Sequence, residues 1–177
     1  MGVDIRAYTN IRKIDAVFDD EGEPIDPVTR KPLQDAVKLW VNPDYAERAA
    51  DIEDRGVYAF DDCVGDASYG YGGYNFWRDH LAKLAGWPLG SYEQYGRNWE
   101  SYAASAWKAE GGKLWELINF SDCEGTIGPA VCTKIAAELK EIAATDPQFP
   151  RPHDRRFFDE MVKIFEAAAG TGCVVFS

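Results

Sequence analysis

KLWELINFSDCEGTIGPAVC, Lys113–Cys132, is the stretch on which the fold turns. It opens with an apolar run, Leu114–Phe120, broken only by Glu116 and Asn119, the pattern of a central strand buried on both faces. The acidic loop Ser121-Asp122-Cys123-Glu124-Gly125 follows, and Gly128-Pro129 opens a helix. A strand that passes through a loop into a helix N-terminus sets the layering of a domain. It also delivers polar side chains to one end of a sheet.

Working outward, Val131, Ile135, Leu139 and Ile142 mark the buried stripe of a helix over Pro129–Ala144. A proline-bounded loop, Thr145–Pro152, leads to a second helix over Asp154–Ala169, with Phe157, Phe158, Met161, Val162, Ile164 and Phe165 turned inward. Gly170-Thr171-Gly172 then turns into a final strand, Cys173–Phe176. Toward the N-terminus, Val3, Ile5 and Ala7 alternate with Asp4, Arg6 and Tyr8 as a half-buried strand. Arg12–Asp19, Asp35–Val41 and Val57–Phe60 read as further strands, separated by a proline-rich loop and a short helix. That helix is capped by Asn42, has Pro43 and Asp44 in its first turn, and carries Tyr45, Ala49 and Ile52 at helical spacing.

Asp61–Asn75 is a second unusual stretch, a loop in which glycines and tyrosines interleave. A helix capped by Asn75 is expected next, with Trp77, Leu81 and Leu84 as its stripe. Leu89–Arg97 reads as a loop and Asn98–Glu110 as a helix. Strands first, then helices, with strands returning at the end, indicate one α+β domain over residues 1–177. Its sheet is mixed or antiparallel, with helices packed mainly on one face.

The 177 residues are 46% apolar and 28% charged, enough to bury a core. The net charge of −11 disfavours general nucleic-acid binding and attraction to an anionic membrane. No run is apolar for long enough to span a bilayer, and MGVDIRAYTN lacks a signal-peptide core. Cys63, Cys123, Cys132 and Cys173 form no C-x-x-C pair, so reduced thiols in a cytoplasm are expected.

Chemistry-bearing residues are sparse. The two histidines, His80 and His153, are far apart and give no zinc spacing. Asp122 and Glu124 have the types needed for an acid/base pair or a hard-cation site. With Ser121 and Thr126 they are candidate binding residues of the loop; carboxylates at that place are also simply stabilised by the following helix dipole, and Ser121 and Asp122 at a strand end suit local turns. Tyr69, Tyr71, Tyr74, Asn75, Trp77 and Arg78 combine flat faces with hydrogen-bonding groups, and Arg97 can add to them. They suit a planar ligand such as a nucleobase, or equally an aromatic loop closing over the sheet. A composite site requires that this stretch and the Ser121–Thr126 loop meet.

The opening Met1–Ile5, YGGYNFWR at Tyr71–Arg78, WELINFSDCEGTIGP at Trp115–Pro129 and the ending Ala167–Phe176 together carry a resemblance. The chain resembles, over nearly its full length, a family of uncharacterised proteins found in bacteria and their phages. The resemblance implies a phage or prophage accessory protein in bacterial cytoplasm and carries no activity. With few catalytic residue types, the expectation is a non-enzymatic binding protein that needs no cofactor. It engages a host protein or sequesters a small nucleotide-like ligand, and a homo-oligomer is left open. The alternative is a divalent-cation-assisted hydrolase using Asp122 and Glu124.

Overall fold

The structure, a computed structural model, describes residues 2–121 and 124–177. Its strands are β1 (Gly2–Tyr8), β2 (Arg12–Ile14), β3 (Val17–Phe18), β4 (Pro24–Ile25), β5 (Ala36–Lys38), β6 (Val57–Ala59), β7 (Cys63–Gly70), β8 (Gly90–Gln94), β9 (Arg97–Ser101), β10 (Gly125–Ile127) and β11 (Cys173–Phe176). Its α-helices are α1 (Tyr71–Leu84), α2 (Ala103–Trp107), α3 (Trp115–Ile118), α4 (Pro129–Ala143) and α5 (Pro152–Ala168), and Pro43–Ala49 is 3₁₀.

The main sheet is antiparallel in the order β10-β11-β1-β7. Val3, Ile5 and Ala7 of β1 are fully buried on one face, beneath α1, α4 and α5. Tyr8 and Val175 turn to the opposite face, where they pack with Leu39, Ala49, Ile52, Tyr58 and Cys173. That second face is covered by the small antiparallel sheet β2-β6-β5 and the 3₁₀ segment. The architecture is thus α+β, with the long helices on one side of the main sheet. Among the described residues no helix is long and apolar enough to cross a membrane.

The expected strands β1 and β11 and the helices α4 and α5 stand where periodicity places them, to within two residues. The run Leu114–Phe120 does not form the central strand expected. It is one turn of helix, α3, entered through Leu114 in the left-handed region at φ 55°. Leu114, Leu117, Ile118 and Phe120 are all fully buried while Trp115, Glu116 and Asn119 between them are half-buried, and a run this short does not separate helix from strand by its period. The strand lies beyond the acidic loop, at β10, whose three residues are all buried. The open edge of β10 is closed by loop backbone: Thr126 N donates to Trp40 O at 3.0 Å and Gly128 N to Arg48 O at 2.8 Å.

The Asp61–Asn75 stretch is likewise not a loop. It is β7 running straight into α1, with Gly70, not Asn75, at the helix cap. Gly65, at φ +80°, sits where the β1–β7 register slips, which disguises the strand in the sequence. The stretch Leu89–Ser101, read as a loop and the start of a helix, is the hairpin β8–β9. Its two-residue turn, Tyr95-Gly96, has φ of 54° and 71°, as a primed turn requires. Only Ala103–Trp107 of the helix expected over Asn98–Glu110 is helical.

Candidate binding site

The two stretches singled out in the sequence do meet. Tyr74 Oη donates to Phe120 O at 3.1 Å, and Arg78 Nη1 donates to Ile118 O. Helix α1 therefore lies directly against the segment that leads into the Ser121–Thr126 loop. On the solvent side of this contact, two adjoining chambers of about 490 Å³ each share Arg78 and Trp107. That size is within the range of small-molecule pockets.

The first chamber lies between the 3₁₀ segment and α1, α2 and α3. Tyr45, Arg48, Arg78, Trp107, Trp115, Asn119 and Ser121 line it, with Asp44 and Glu47 also on the wall. Arg48 is 1% exposed, and its guanidinium lies 4.1 Å from the Tyr45 ring and 5.2 Å from those of Trp115 and Phe120. Among the described residues, its Nε and Nη1 have no hydrogen-bond partner. Glu47 stands 3.6 Å from Nε, beyond hydrogen-bonding distance, with its own side chain 60% exposed. Burial pulls the Arg48 pKa down, against the upward pull of Glu47, Tyr45, Glu116 and Glu124. Trp115 is fixed by its indole N–H, which donates to the carbonyls of Ala106 and Ala109 at 3.0 Å.

The second chamber lies between α1 and the β8–β9 hairpin. Its wall is acidic, with Asp79, Glu93 and Glu100, and carries Asn75, Phe76 and Tyr92. Tyr92 meets Trp107 edge-on, with ring centroids 5.1 Å apart. Asp79 holds the chamber together, since its Oδ1 accepts from Ser101 Oγ at 2.6 Å and from Ala103 N at 3.0 Å.

Of the residues expected from sequence to bind, Asn75, Arg78 and Ser121 line these chambers. Tyr69, Tyr74, Trp77 and Thr126 are buried away from solvent, at 6%, 0%, 0% and 2% exposure. Tyr69 donates to Asp154, and Tyr74 and Trp77 stack with centroids 5.9 Å apart. Tyr71, half-buried, packs against the main core. Arg97 is exposed beside the hairpin turn and lines neither chamber. The glycines beside the tyrosines serve packing: a Cβ on Gly73 would stand 2.0 Å from the Tyr69 ring.

Glu124 accepts from Asn42 Nδ2 at one oxygen and from Ser121 Oγ at the other, both at 2.9 Å. Asn42 also accepts from Asp44 N, so one side chain joins the start of the 3₁₀ segment to the acidic loop. Asp122 lies outside the described residues, as does Cys123. Among those described, no three His, Cys, Asp or Glu side chains gather as a metal site would need.

Sequence reasoning missed Tyr45, Arg48, Trp107, Trp115 and Asn119. Arg48 stands three residues after Tyr45, a spacing that brings two side chains together in an α-helical or a 3₁₀ turn alike, so the available signal was a charge on the Tyr45–Ala49–Ile52 face.

No protein-family model matches the chain, and neither does any curated protein or solved structure.

Proposed function

We propose that the protein is a non-enzymatic binding protein that sequesters a small, planar, anionic ligand of nucleotide-like chemistry in the two-chamber groove. The observation that carries this reading is Arg48, a guanidinium buried among aromatic faces at the wall of an open chamber, with two nitrogens lacking acceptors. Leaving such donors unmet is costly, and an oxyanion supplies both the acceptors and the opposite charge. Trp107 and Tyr92 offer flat faces at the chamber junction, where a ring can stack. In the setting that the family resemblance implies, this is an accessory protein working in bacterial cytoplasm and encoded by the bacterium or its phage.

The test is calorimetric titration with nucleosides and nucleotides, followed by recovery of the ligand. Micromolar or tighter binding is expected, with the ligand recovered unchanged in the presence and absence of Mg²⁺. Trp107, 44% exposed, is the residue to remove. Trp107→Ala is expected to weaken binding by about 5- to 100-fold, the loss of one stacking contact. Turnover of the ligand would show an enzyme. Absence of binding across the panel would move the reading to a host protein partner, with the exposed Tyr95–Trp99 hairpin as the surface to mutate.

A further inference from the structure

We infer that Arg48 is the anion anchor of the groove, and that the charged end of the ligand is a single oxyanion group, a carboxylate or one phosphate, rather than a polyphosphate. The inference rests on the groove being a ligand site and specifies what it takes.

Among the described residues, four charged side chains face the first chamber, and their signs cancel: Arg48 and Arg78 against Asp44 and Glu47. Glu116 and Glu124 also act on the Arg48 charge from nearby. Arg78 is tied down by its own bonds, donating through Nη1 to Ile118 O and through Nη2 to Asn75 Oδ1. Arg48 has no such bond from Nε or Nη1 among the described residues. It is held in place by ring faces, which fix its plane and leave N–H groups without acceptors. A single guanidinium matches one compact anion. A chain of phosphates would extend from it toward Asp44 and Glu47 in one direction. In the other it would meet the Asp79, Glu93 and Glu100 wall of the second chamber. Neither direction offers a further free cation among the described lining residues. Polyphosphate sites use several donors and a metal or lysine to offset the charge.

The adjoining acidic chamber fits the other end of such a ligand. Carboxylates accept from hydroxyl and amino groups, so a sugar or an exocyclic amine is matched there, with Trp107 against the ring between.

The experiment titrates wild type, Arg48→Met and Arg48→Lys with the four common ribonucleosides, their 5′-monophosphates, 5′-triphosphates and 5′-carboxylic acids. In wild type, a monophosphate or a carboxylate is expected to bind at least about 10-fold tighter than its nucleoside, one charge-assisted contact's worth. The arm that wins identifies the group. The triphosphate is expected to bind no tighter than the monophosphate. Arg48→Met is expected to bind charged and uncharged ligands alike, at the nucleoside's affinity. Its unliganded melting temperature is expected to equal or exceed that of wild type, because it removes a buried charge with two N–H groups that lack acceptors. Arg48→Lys keeps the charge without the planar fork and is expected to lose most of the discrimination. It serves as the test if the Met variant does not fold. A triphosphate 10-fold tighter than its monophosphate, or a variant that keeps wild-type discrimination, overturns the inference and leaves the groove as a binding site. Wild type that binds no member of the panel overturns the groove reading and this inference together.

Discussion

Asp154 is 1% exposed in the first turn of α5, where Arg151 donates to both its oxygens at 2.8 and 2.9 Å and Tyr69 donates to one of them. Burial pushes the Asp154 pKa up, but the bonds from Arg151 and Tyr69 outweigh it and the net shift is downward. A carboxylate held below its unfolded value of about 3.9 contributes stability above that pH and loses it as pH falls further. Tyr69 is the mirror case. Burial first, and then the carboxylate beside it, push its phenol up to about 12. Its contribution is complete below about pH 10 and is lost as pH rises toward 12. Burial likewise takes the Cys173 thiol up to about 12, so alkaline loss begins earlier, near pH 9. The melting temperature should therefore fall below about pH 4 and again above about pH 9. Asp154→Asn should flatten the acid limb at a cost of about 1–3 kcal/mol at neutral pH. Tyr69→Phe should reduce the part of the alkaline loss that starts near pH 10, while the thiol part and the share of Tyr8 and Tyr45, both also raised by burial, remain. Melting curves from pH 2 to 12 decide it, and an Asp154→Asn acid limb as steep as wild type would place the acid-sensitive group elsewhere. Tyr69 also shows what was legible at this scale. The sequence marks it as special, and so it is, but as the partner of a carboxylate 85 residues away, which no local pattern carries.

Elements were legible where one face is wet. Helix α5 buries Phe157, Phe158, Met161, Ile164 and Phe165 and leaves the residues between half-buried or exposed, so its period is plain. A single turn such as α3 is too short to show a period, and the hairpin β8–β9, wet nearly all round, has no such contrast. Every residue from Glu93 to Glu100 is exposed, so the two strands are fixed by their turn and by anchors outside the sheet. Asp79 is the main anchor, because it accepts from Ser101 at the end of β9 and from the first backbone N–H of α2. It acts as a helix cap delivered from a different helix. Asp79→Ala should lower global stability by about 1–2 kcal/mol, and Asp79→Asn, which keeps an acceptor oxygen, by less. The same change should loosen the hairpin over the groove, so chymotrypsin cleavage at Tyr95 should quicken and Trp107 fluorescence should shift toward that of exposed indole. If Asp79→Ala melts and is cleaved like wild type, the hairpin is held by something else. Half of the groove wall depends on this contact, which is why the site could not be assembled from the α1 and acidic-loop stretches alone.

At the scale of the molecule, the α+β class and the helices on one face follow from the order of elements; the strands β2, β5 and β6 were expected too, but not that they pair as a separate sheet, since strands of three residues carry no signal of their partners. The two layers nevertheless share one sheet. Along β11, Val174 and Phe176 belong to the core under the helices, whereas Cys173 and Val175 face the smaller cluster around Leu39 and Tyr58. The last strand is also interior, between β10 and β1, and beyond it Asp4 and Ser177 exchange backbone hydrogen bonds of 2.8 and 3.0 Å. A strand that carries side chains of both cores cannot unpair for one layer without releasing the other, so both should unfold in one transition. Leu39, fully buried in the smaller cluster and remote in sequence from every long helix, is the residue on which to test this. Leu39→Ala should cost about 2–5 kcal/mol. In a chain of this size that corresponds to a fall of roughly 5–15 °C in melting temperature. Helix content followed by far-ultraviolet circular dichroism and proteolytic cutting of the β2-β6-β5 layer should move down together by the same amount. If the small layer is cut at a lower temperature while the helices melt where they do in wild type, the two faces of β11 are energetically separate. The 3₁₀ segment that carries Arg48 would then belong to a layer free to open, and the groove would be gated by that layer.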